Sequence, residues 1–431
     1  MKIGLEIHVA LPTKTKLFCR CLNQDNEVPN LNICPICMGF PGSKPMLNRE
    51  ALRISLSITR ALKCKTNDRV SFVRKIYFYP DLPKSYQITQ LYEPSGFDGE
   101  VNITGKTIRI RRIQLEEDPA KILREKNYSL LDFNRSGVPL VEIVTEPDIY
   151  SEDEAHEFLY ELRSLLYYQG IDIDREMKAD LNISLADERV EVKNITGIKN
   201  LMDAARYEIK RQSLLIEGGR QVIKETRSYD ESRKITETSR EKESDEEYGF
   251  IYEPDLTEYY SIDVNIPVPI IARHIANELS VSYGFNLRTL SELIYFDKDS
   301  LRLVEYAKNK YDSQSIINLL EILKRFDCTS IKDKVFDALM DLLKRKIDIT
   351  KETIIKLEKG MQIESVYSSP ERIDEIIRAF LQKNTDMVEK YKKDRKVYDF
   401  MVGSITKNFG LQSKLVSERL SIVLKDIIDN N

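Results

Sequence analysis

Strict alternation at the amino terminus constrains this chain more than any other feature. Ile3, Leu5, Ile7, Val9 and Leu11 take every second position of Ile3-Gly4-Leu5-Glu6-Ile7-His8-Val9-Ala10-Leu11, a period that suits a β-strand. Side chains alternate between the faces of a strand, so Gly4, Glu6, His8 and Ala10 share the other side. Glu6 and His8 then stand roughly 7 Å apart on one face, spaced to reach a shared metal ion or substrate. A half-exposed strand with a polar outer face would read the same way, so the rest of the chain has to decide.

Bulk properties narrow the choice. With 431 residues, 42% apolar, 32% charged and a formal net charge of −4, the chain reads as an ordinary folded protein of two or three domains. The overall charge gives no sign of a polyanion partner, so a nucleic-acid surface would have to be a local basic patch. Only three histidines are present, which singles out His8. No run approaches a membrane span and no signal peptide is visible, which predicts a cytoplasmic location.

Four of the six cysteines cluster as Cys19-Arg20-Cys21 and Cys34-Pro35-Ile36-Cys37. Two short-spaced pairs can converge on one tetrahedral zinc ion, and a closed four-thiolate site of this kind holds a loop. Cys64 and Cys328 have no partners by spacing and read as plain buried residues.

Asn48 to Leu62 reads as an amphipathic helix. Arg74 to Gln87 follows, crowding basic residues, tyrosines and prolines without a helical or strand period. It reads either as a rigid surface loop or as a loop that grips a phosphate-bearing ligand through Lys75 and Lys84, with the rings as a stacking surface. A strand is expected from Ile108 through Asp118. Parity turns Glu117 toward the side of Ile113 and Leu115 and Glu116 the other way. A carboxylate on a core-facing position needs a partner, and a metal ion would suffice.

A turn from Asp132 to Pro139, containing Asn134-Arg135-Ser136-Gly137, leads to a strand from Leu140 to Val144. Glu152 to Gln169 is expected to be a helix capped by Ser151 and closed at Gly170. Strands at 180–185 and 190–194 repeat the polar alternation, with Asp180, Asn182 and Ser184 on one face, as an active-site floor would. A helix is expected at 200–217. The charge-dense stretch from Arg227 to Tyr248 reads as a mobile surface ribbon. From about Pro269 helices dominate, which argues for a separate all-α part, with a further break near Gly360 to Pro370. Lys390, Lys392, Lys393, Arg395, Lys396, Lys407 and Lys414 cluster in the last module, either a solvated helix face or a nucleic-acid surface.

No G-x-x-x-x-G-K-[ST] loop and no G-x-G-x-x-G after a strand is present. A nucleotide would have to be held by metal, lysines and tyrosines on a sheet. No amidase signature stands out either, so chemistry that needs ammonia would have to import it.

Together, Gly4-Leu5-Glu6-Ile7-His8-Val9, Tyr77-Phe78-Tyr79-Pro80-Asp81-Leu82-Pro83-Lys84, Leu115-Glu116-Glu117-Asp118, Asn134-Arg135-Ser136-Gly137-Val138-Pro139 and Glu191-Val192-Lys193-Asn194 resemble the GatB/GatE family of tRNA-dependent amidotransferase subunits. Phe400-Met401-Val402-Gly403 and Lys414-Leu415-Val416 resemble its carboxy-terminal tail. The resemblance implies an α+β fold: a glutamine-synthetase-like cradle over 1–268, a helical domain over 269–362 and a YqeY-like helical tail over 363–431. It implies ATP-dependent phosphorylation of the side-chain carboxylate of misacylated Asp-tRNA(Asn) or Glu-tRNA(Gln), then amidation with ammonia from glutamine. It also implies a heterotrimer with an A-type amidase and a small C-type protein, and the cognate aminoacyl-tRNA synthetase as a further partner.

By the same resemblance, Glu6, His8, Glu117 and Glu116 match magnesium ligands, and Asp180 matches an acidic position beside them. Lys75, Tyr77, Tyr79, Lys84, Arg135, Asn182 and Lys193 become candidates for phosphate contact or the ammonia path. Glu253 and Asp255 join that path, and Lys392, Lys393, Lys396, Lys407 and Lys414 become candidates for tRNA binding. Two departures stand out. Lys178-Ala179-Asp180 replaces the family's Arg-Cys-Asp. In Tyr248-Gly249-Phe250-Ile251-Tyr252-Glu253-Pro254-Asp255, Gly249 stands where an arginine is usual and Tyr252 where a proline is usual. The rival E-type proteins carry an inserted domain for which there is no room after Asp255. A non-catalytic zinc-stabilised RNA-binding factor is the rival from another class.

Overall fold

The computed structural model describes residues 1–24, 26–171, 177–240, 249–256, 259–260, 265–266, 268–361, 370–393, 397–409 and 413–429. They fall into two units, Met1–Ala272 and Arg273–Asn431.

In the first unit, β1 (Lys2–Ala10) is followed by α1 (Arg49–Ala61), β2 (Arg69–Val70), β3 (Val73–Ile76), β4 (Tyr86–Thr89), β5 (Gly96–Ile103) and β6 (Lys106–Glu117). Next come β7 (Lys121–Arg124), β8 (Ser129–Asp132), β9 (Pro139–Thr145), α2 (Glu152–Tyr168), β10 (Met177–Ser184) and β11 (Val190–Thr196). The unit continues with α3 (Ile198–Glu217), β12 (Glu225–Asp230), β13 (Ile235–Arg240), β14 (Gly249–Tyr252) and β15 (Tyr259–Tyr260). One mixed sheet runs β13-β12-β11-β10-β1-β9-β6-β4-β3-β14, with β5 paired to β6. The β11–β12 pair is parallel.

The opening strand sits inside this sheet, antiparallel to both β9 and β10. Its odd positions are buried with Met177, Ala179, Leu181 and Ile183 of β10 and Val141 and Ile143 of β9. The same cluster takes in Leu52, Leu56 and Ile58 of α1, Phe158 and Leu162 of α2, and Leu201 and Ala204 of α3. Period-two strands and amphipathic helices therefore bury one face of the sheet together, and the even positions of β1 are left on the other. The helix starts are well specified: Asn48 Oδ1 accepts from the backbone N–H of Glu50 and Ala51. Ser151 Oγ accepts from Glu154 N at 3.1 Å, ahead of a first turn carrying Glu152, Asp153 and Glu154.

Two expectations are corrected. The stretch from Arg74 to Gln87 is not aperiodic throughout: its ends belong to β3 and β4, which pair with each other, and β3 also pairs with β14. Only 77–85 lies outside a strand. The expected ribbon from Arg227 is a hairpin, β12–β13, as far as Arg240, while 241–248 lies outside the described residues. Its charges are structural. Arg227 is buried, donates to Glu225 Oε1 at 2.9 Å, to Thr236 Oγ1 at 2.7 Å and to the Thr236 carbonyl at 2.7 Å, and lies 3.1 Å from Glu208 of α3. Composition reads such residues as solvent-facing because it cannot supply their partners.

The second unit is helical among the described residues. It contains α4 (Ala272–Tyr283, beginning at the boundary), α5 (Leu287–Ile294), α6 (Lys298–Ala307), α7 (Ser313–Arg325), α8 (Asp333–Lys344) and α9 (Lys351–Glu358). These are followed by α10 (Pro370–Lys383), α11 (Thr385–Lys393), α12 (Val397–Phe409) and α13 (Ser413–Asp429). The last four share a core that includes Ile373, Ile377, Met401, Ile405, Val416 and Leu420. The expected break near Gly360 to Pro370 falls largely on 362–369, outside the described residues.

Candidate functional site

Strand register assembles the site. Residues directly opposite one another in a ladder share a face, and β1 places Glu6 opposite Asp180 of β10 and His8 opposite Glu142 of β9. Asn182, opposite Gly4 on one side, is opposite Glu191 of β11 on the other. Two groups result. His8, Glu116 and Glu142 form one, and Glu6, Asp180 and Glu191 form the second, each with ligand atoms within 4.8 Å of one another.

In the first group His8 Nε2 lies 3.2 Å from Glu116 Oε1 and 3.8 Å from Glu142 Oε1, and both carboxylates are buried. Burial works against a charged ring, but Glu116, Glu142, Asp180 and Glu6 together outweigh it and hold His8 above the usual imidazole range. Burial pushes Glu116 up to about 7, with His8 and Lys75 pulling the other way. Gln114 donates to Glu142 from the neighbouring strand.

In the second group, burial raises Glu6, with Glu142 and Asp180 adding to the effect, and burial likewise raises Glu191. Asn182 Nδ2 donates to Glu6 at 3.1 Å, and Asn194 N donates to Asp180 at 2.8 Å. Asn182 Oδ1 is buried without a hydrogen-bond partner. Five carboxylates and an orphaned amide oxygen on one face, several held above their normal pKa by burial and mutual repulsion, suit a hard divalent cation such as magnesium.

The expected residues divide among three places. Glu6, His8, Glu116 and Asp180 come together on this face, and Asn182 joins them. Lys75 is near enough to lower Glu116, and its ammonium lies 5.8 Å from the Tyr77 ring centre. Lys193 lies 3.7 Å from Glu191. Glu117 is not brought to this group. It turns to the other side of β6, where Lys84 Nζ meets its two oxygens at 2.5 and 2.6 Å and Ile88 N donates at 2.8 Å. Phe18, Cys37, Gly137, Lys84 and Glu117 border a small cleft of about 70 Å³ there. Arg135 is committed to buried Asp118, with Lys178 3.8 Å away. Tyr79 Oη accepts from Arg124 at 2.8 Å.

Glu253 and Asp255 sit apart as well. Arg74 grips Glu253 with two hydrogen bonds of 2.8 Å, and Lys44 lies 2.9 Å from Asp255. Gly249 pairs with Ile76 at the sheet edge. Of the tail lysines, Lys392 and Lys393 end α11, Lys407 falls in α12 and Lys414 in α13, with their side chains outside the description, and Lys396 lies outside the described residues altogether. The sequence reading missed Glu142 and Glu191 as members of the groups. Glu142 lies in an apolar-flanked strand, and only the β1–β9 register reveals it.

The four cysteines converge as their spacing predicts, with Cys34 and Cys37 sulfurs 3.8 Å apart and all four within 4.8 Å. A tetrahedral zinc with Zn–S bonds of about 2.3 Å requires sulfurs about 3.8 Å apart, so the set fits. Cys37 is drawn down to about 5, first by the Cys19 thiol that donates to it and also by Lys16, whereas Cys19 is driven far up. Burial pushes Cys21 up to about 11. Lys16 is fully buried and donates to the Asn32 carbonyl at 2.8 Å. Asn134 accepts from Asn32 N and donates to the Val28 carbonyl, both at 2.8 Å. Gly137, at φ +87°, accepts from Leu17 N in a backbone conformation that favours glycine. The Asn134–Gly137 motif is thus the seat of the cysteine loop. Gly39 of that loop, at φ +66°, approaches Lys84 so closely that a Cβ there would meet Lys84 Cγ at 2.5 Å.

Fold and site together define a protein of mixed α and β structure whose sheet carries a cation-seeking acidic floor, braced by a four-cysteine loop. The sequence profile described as the GatB/GatE catalytic domain matches residues 1–265. A protein of Sulfolobus acidocaldarius, named as the B subunit of aspartyl/glutamyl-tRNA(Asn/Gln) amidotransferase, is 38% identical over 94% of this chain and 95% of its own. Proteins of the same name from Sulfurisphaera tokodaii and Thermotoga maritima are 35% identical, covering 98% and 94% of this chain and 99% and 94% of theirs. The chain belongs to the GatB/GatE family. No helix among the described residues is long and apolar enough to cross a membrane.

Proposed function

We propose that this chain is the B-type subunit of a tRNA-dependent amidotransferase, a carbon–nitrogen ligase, and that the acidic sheet face is where it activates a carboxylate. The observation that carries the reading is the pair of adjoining groups, His8–Glu116–Glu142 and Glu6–Asp180–Glu191, on one face of the sheet. Matching relatives over nearly their whole lengths, all named as the B subunit, favour that branch over one with an inserted domain.

The reaction has two steps. A side-chain oxygen of the aspartate or glutamate esterified to tRNA attacks the terminal phosphorus of ATP, and ADP leaves. Ammonia from glutamine then attacks the resulting acyl phosphate at carbon, and phosphate leaves with formation of the amide. Magnesium, when bound, supplies the charge neutralisation that phosphoryl transfer needs, held by oxygens of Glu6, Glu116, Glu142, Asp180 and Glu191. His8 is placed to orient Glu116 and Glu142, and Lys75 adds positive charge at the same edge. The cleft bordered by Lys84 and Glu117 is the candidate passage for ammonia, which a partner A-type amidase supplies; a small C-type protein completes the heterotrimer. The zinc loop, through Gly39 against Lys84, shapes that passage. In this reading 1–268 is the glutamine-synthetase-like cradle, 269–362 the helical domain and 363–431 the YqeY-like tail. Lys392, Lys393, Lys396, Lys407 and Lys414 of the tail hold the tRNA.

Hydroxylamine trapping tests the first step, because an acyl phosphate forms a side-chain hydroxamate. We expect ATP- and magnesium-dependent hydroxamate on aspartyl- or glutamyl-tRNA, lost in Glu6→Ala and His8→Ala. No hydroxamate from the folded, assembled enzyme would refute the reading and favour a zinc-stabilised RNA-binding factor without catalysis.

A further inference from the structure

Beside the acidic face, the loop 77–85 carries a feature that the reaction as described does not use. Phe78 is 96% exposed, an unusual position for a phenylalanine. The loop around it is fixed. Leu82 is buried, Leu82 N donates to the Tyr79 carbonyl, Ser85 N to the Leu82 carbonyl and Ala120 N to the Asp81 carbonyl at 3.0 Å. Arg124 of β7 donates to Tyr79 Oη, which joins the loop to the β7–β8 hairpin.

That hairpin is a separate two-stranded sheet, and it too shows an aromatic ring and cations to solvent. Tyr128 is 62% exposed at its turn, and Lys121, Arg124 and Lys126 are exposed around it, against the single turn carboxylate Glu125. Leu123 and Leu130, opposite one another in the hairpin, are exposed as well, but rings flanked by cations are how proteins hold unpaired nucleotides: bases stack on the rings and phosphates meet the cations. A protein interface core is instead depleted in charge.

The surface also runs from the right place. Lys75 at its inner end belongs to β3, which β4 joins to β6 with Thr89 opposite both Val73 and Glu116, and Phe78 lies three residues further along the chain, at most about 11 Å away. The reach from an aminoacyl side chain to the base of the nucleotide that carries it is of the same order. We infer that Phe78, Tyr79, Arg124 and Tyr128 form the subsite for the unpaired 3′ end of the substrate tRNA, with its terminal base stacked on Phe78. This rests on the proposed amidotransferase reading and adds to it the group that positions the reacting ester over the acidic face.

The test uses the full-length chain with its co-purifying subunits and a tRNA carrying 2-aminopurine at the 3′ terminus and a dye in the anticodon loop. Wild type quenches the aminopurine on binding. Phe78→Ala loses the quench and raises KM for aminoacyl-tRNA about tenfold, Phe78→Trp restores both, and anticodon-dye binding persists in each variant. Quenching retained in Phe78→Ala, or loss of a partner protein from the variant's complex, overturns the subsite; the latter would make the surface a protein-docking site. A wild-type complex that binds no tRNA overturns the amidotransferase reading itself, which separates the two failures.

Discussion

Removing Lys84 should cost far more than removing an equally short ion pair at the surface. The Lys84–Glu117 side chains are only 7% and 5% exposed, and Glu117 also accepts from Ile88 N. Taking away one member of a buried pair leaves the other charge stranded, at about 3–5 kcal/mol. Lys84→Met should therefore lose about that much stability at neutral pH. Replacing both partners, as in Lys84→Met/Glu117→Leu, leaves the Ile88 N–H without its acceptor and should cost about 1–3 kcal/mol. Lys63–Glu100 provides the control, with a 2.7 Å contact but side chains 41% and 42% exposed. Lys63→Met should cost less than about 1 kcal/mol. The chain has no tryptophan, so urea unfolding followed by far-ultraviolet circular dichroism is the assay. Equal losses in Lys84→Met and Lys63→Met would refute the reasoning.

Three further outcomes are expected. Glu116, at about 7, and His8, also raised, both bind protons more tightly folded than unfolded, so their contribution to stability is full at low pH and falls as pH rises through their folded values. Metal-free wild type should thus melt lower at pH 8 than at pH 5, magnesium should restore more at pH 8, and Glu116→Gln should flatten the difference; a pH-independent gap between the two proteins contradicts this. Cys34→Ser should lower bound zinc, measured by atomic emission, and expose the loop 19–37 to protease; unchanged zinc content would rule out the four-thiolate site. Arg227→Met removes one of the two guanidinium groups that meet buried Glu208 and Glu225, Arg211 staying beside both, and should destabilise the first unit by about 1–3 kcal/mol, read by the same urea unfolding; no measurable loss would show the network to be dispensable.

What was legible in the sequence follows from which residues carry their own geometry. Alternation set the buried face of β1 and the open face of Glu6 and His8, and cysteine spacing set the thiolate cluster, because both depend on local periods. Parity likewise separated Glu116 from Glu117, and the structure keeps them on opposite sides of β6. Glu142 and Glu191 were not legible as site members, since only pairing between strands distant in sequence places them beside His8 and Glu6. The hairpin at Arg227 was misread for a related reason: its charges are satisfied in part by Glu208, on the preceding helix. Arg135 looks like a phosphate contact by type, yet Asp118 claims it.

The most direct measurement supplies the complex of this chain with the proposed amidase and small partner proteins, ATP, magnesium and glutamine with aspartyl-tRNA(Asn) and glutamyl-tRNA(Gln) in separate reactions. The amino acid released from each tRNA is then analysed. Asparagine or glutamine, absent when Glu6→Ala replaces the native chain, is the predicted result. Unaltered aspartate and glutamate, with no tRNA-stimulated ATP hydrolysis from folded subunits, would contradict it.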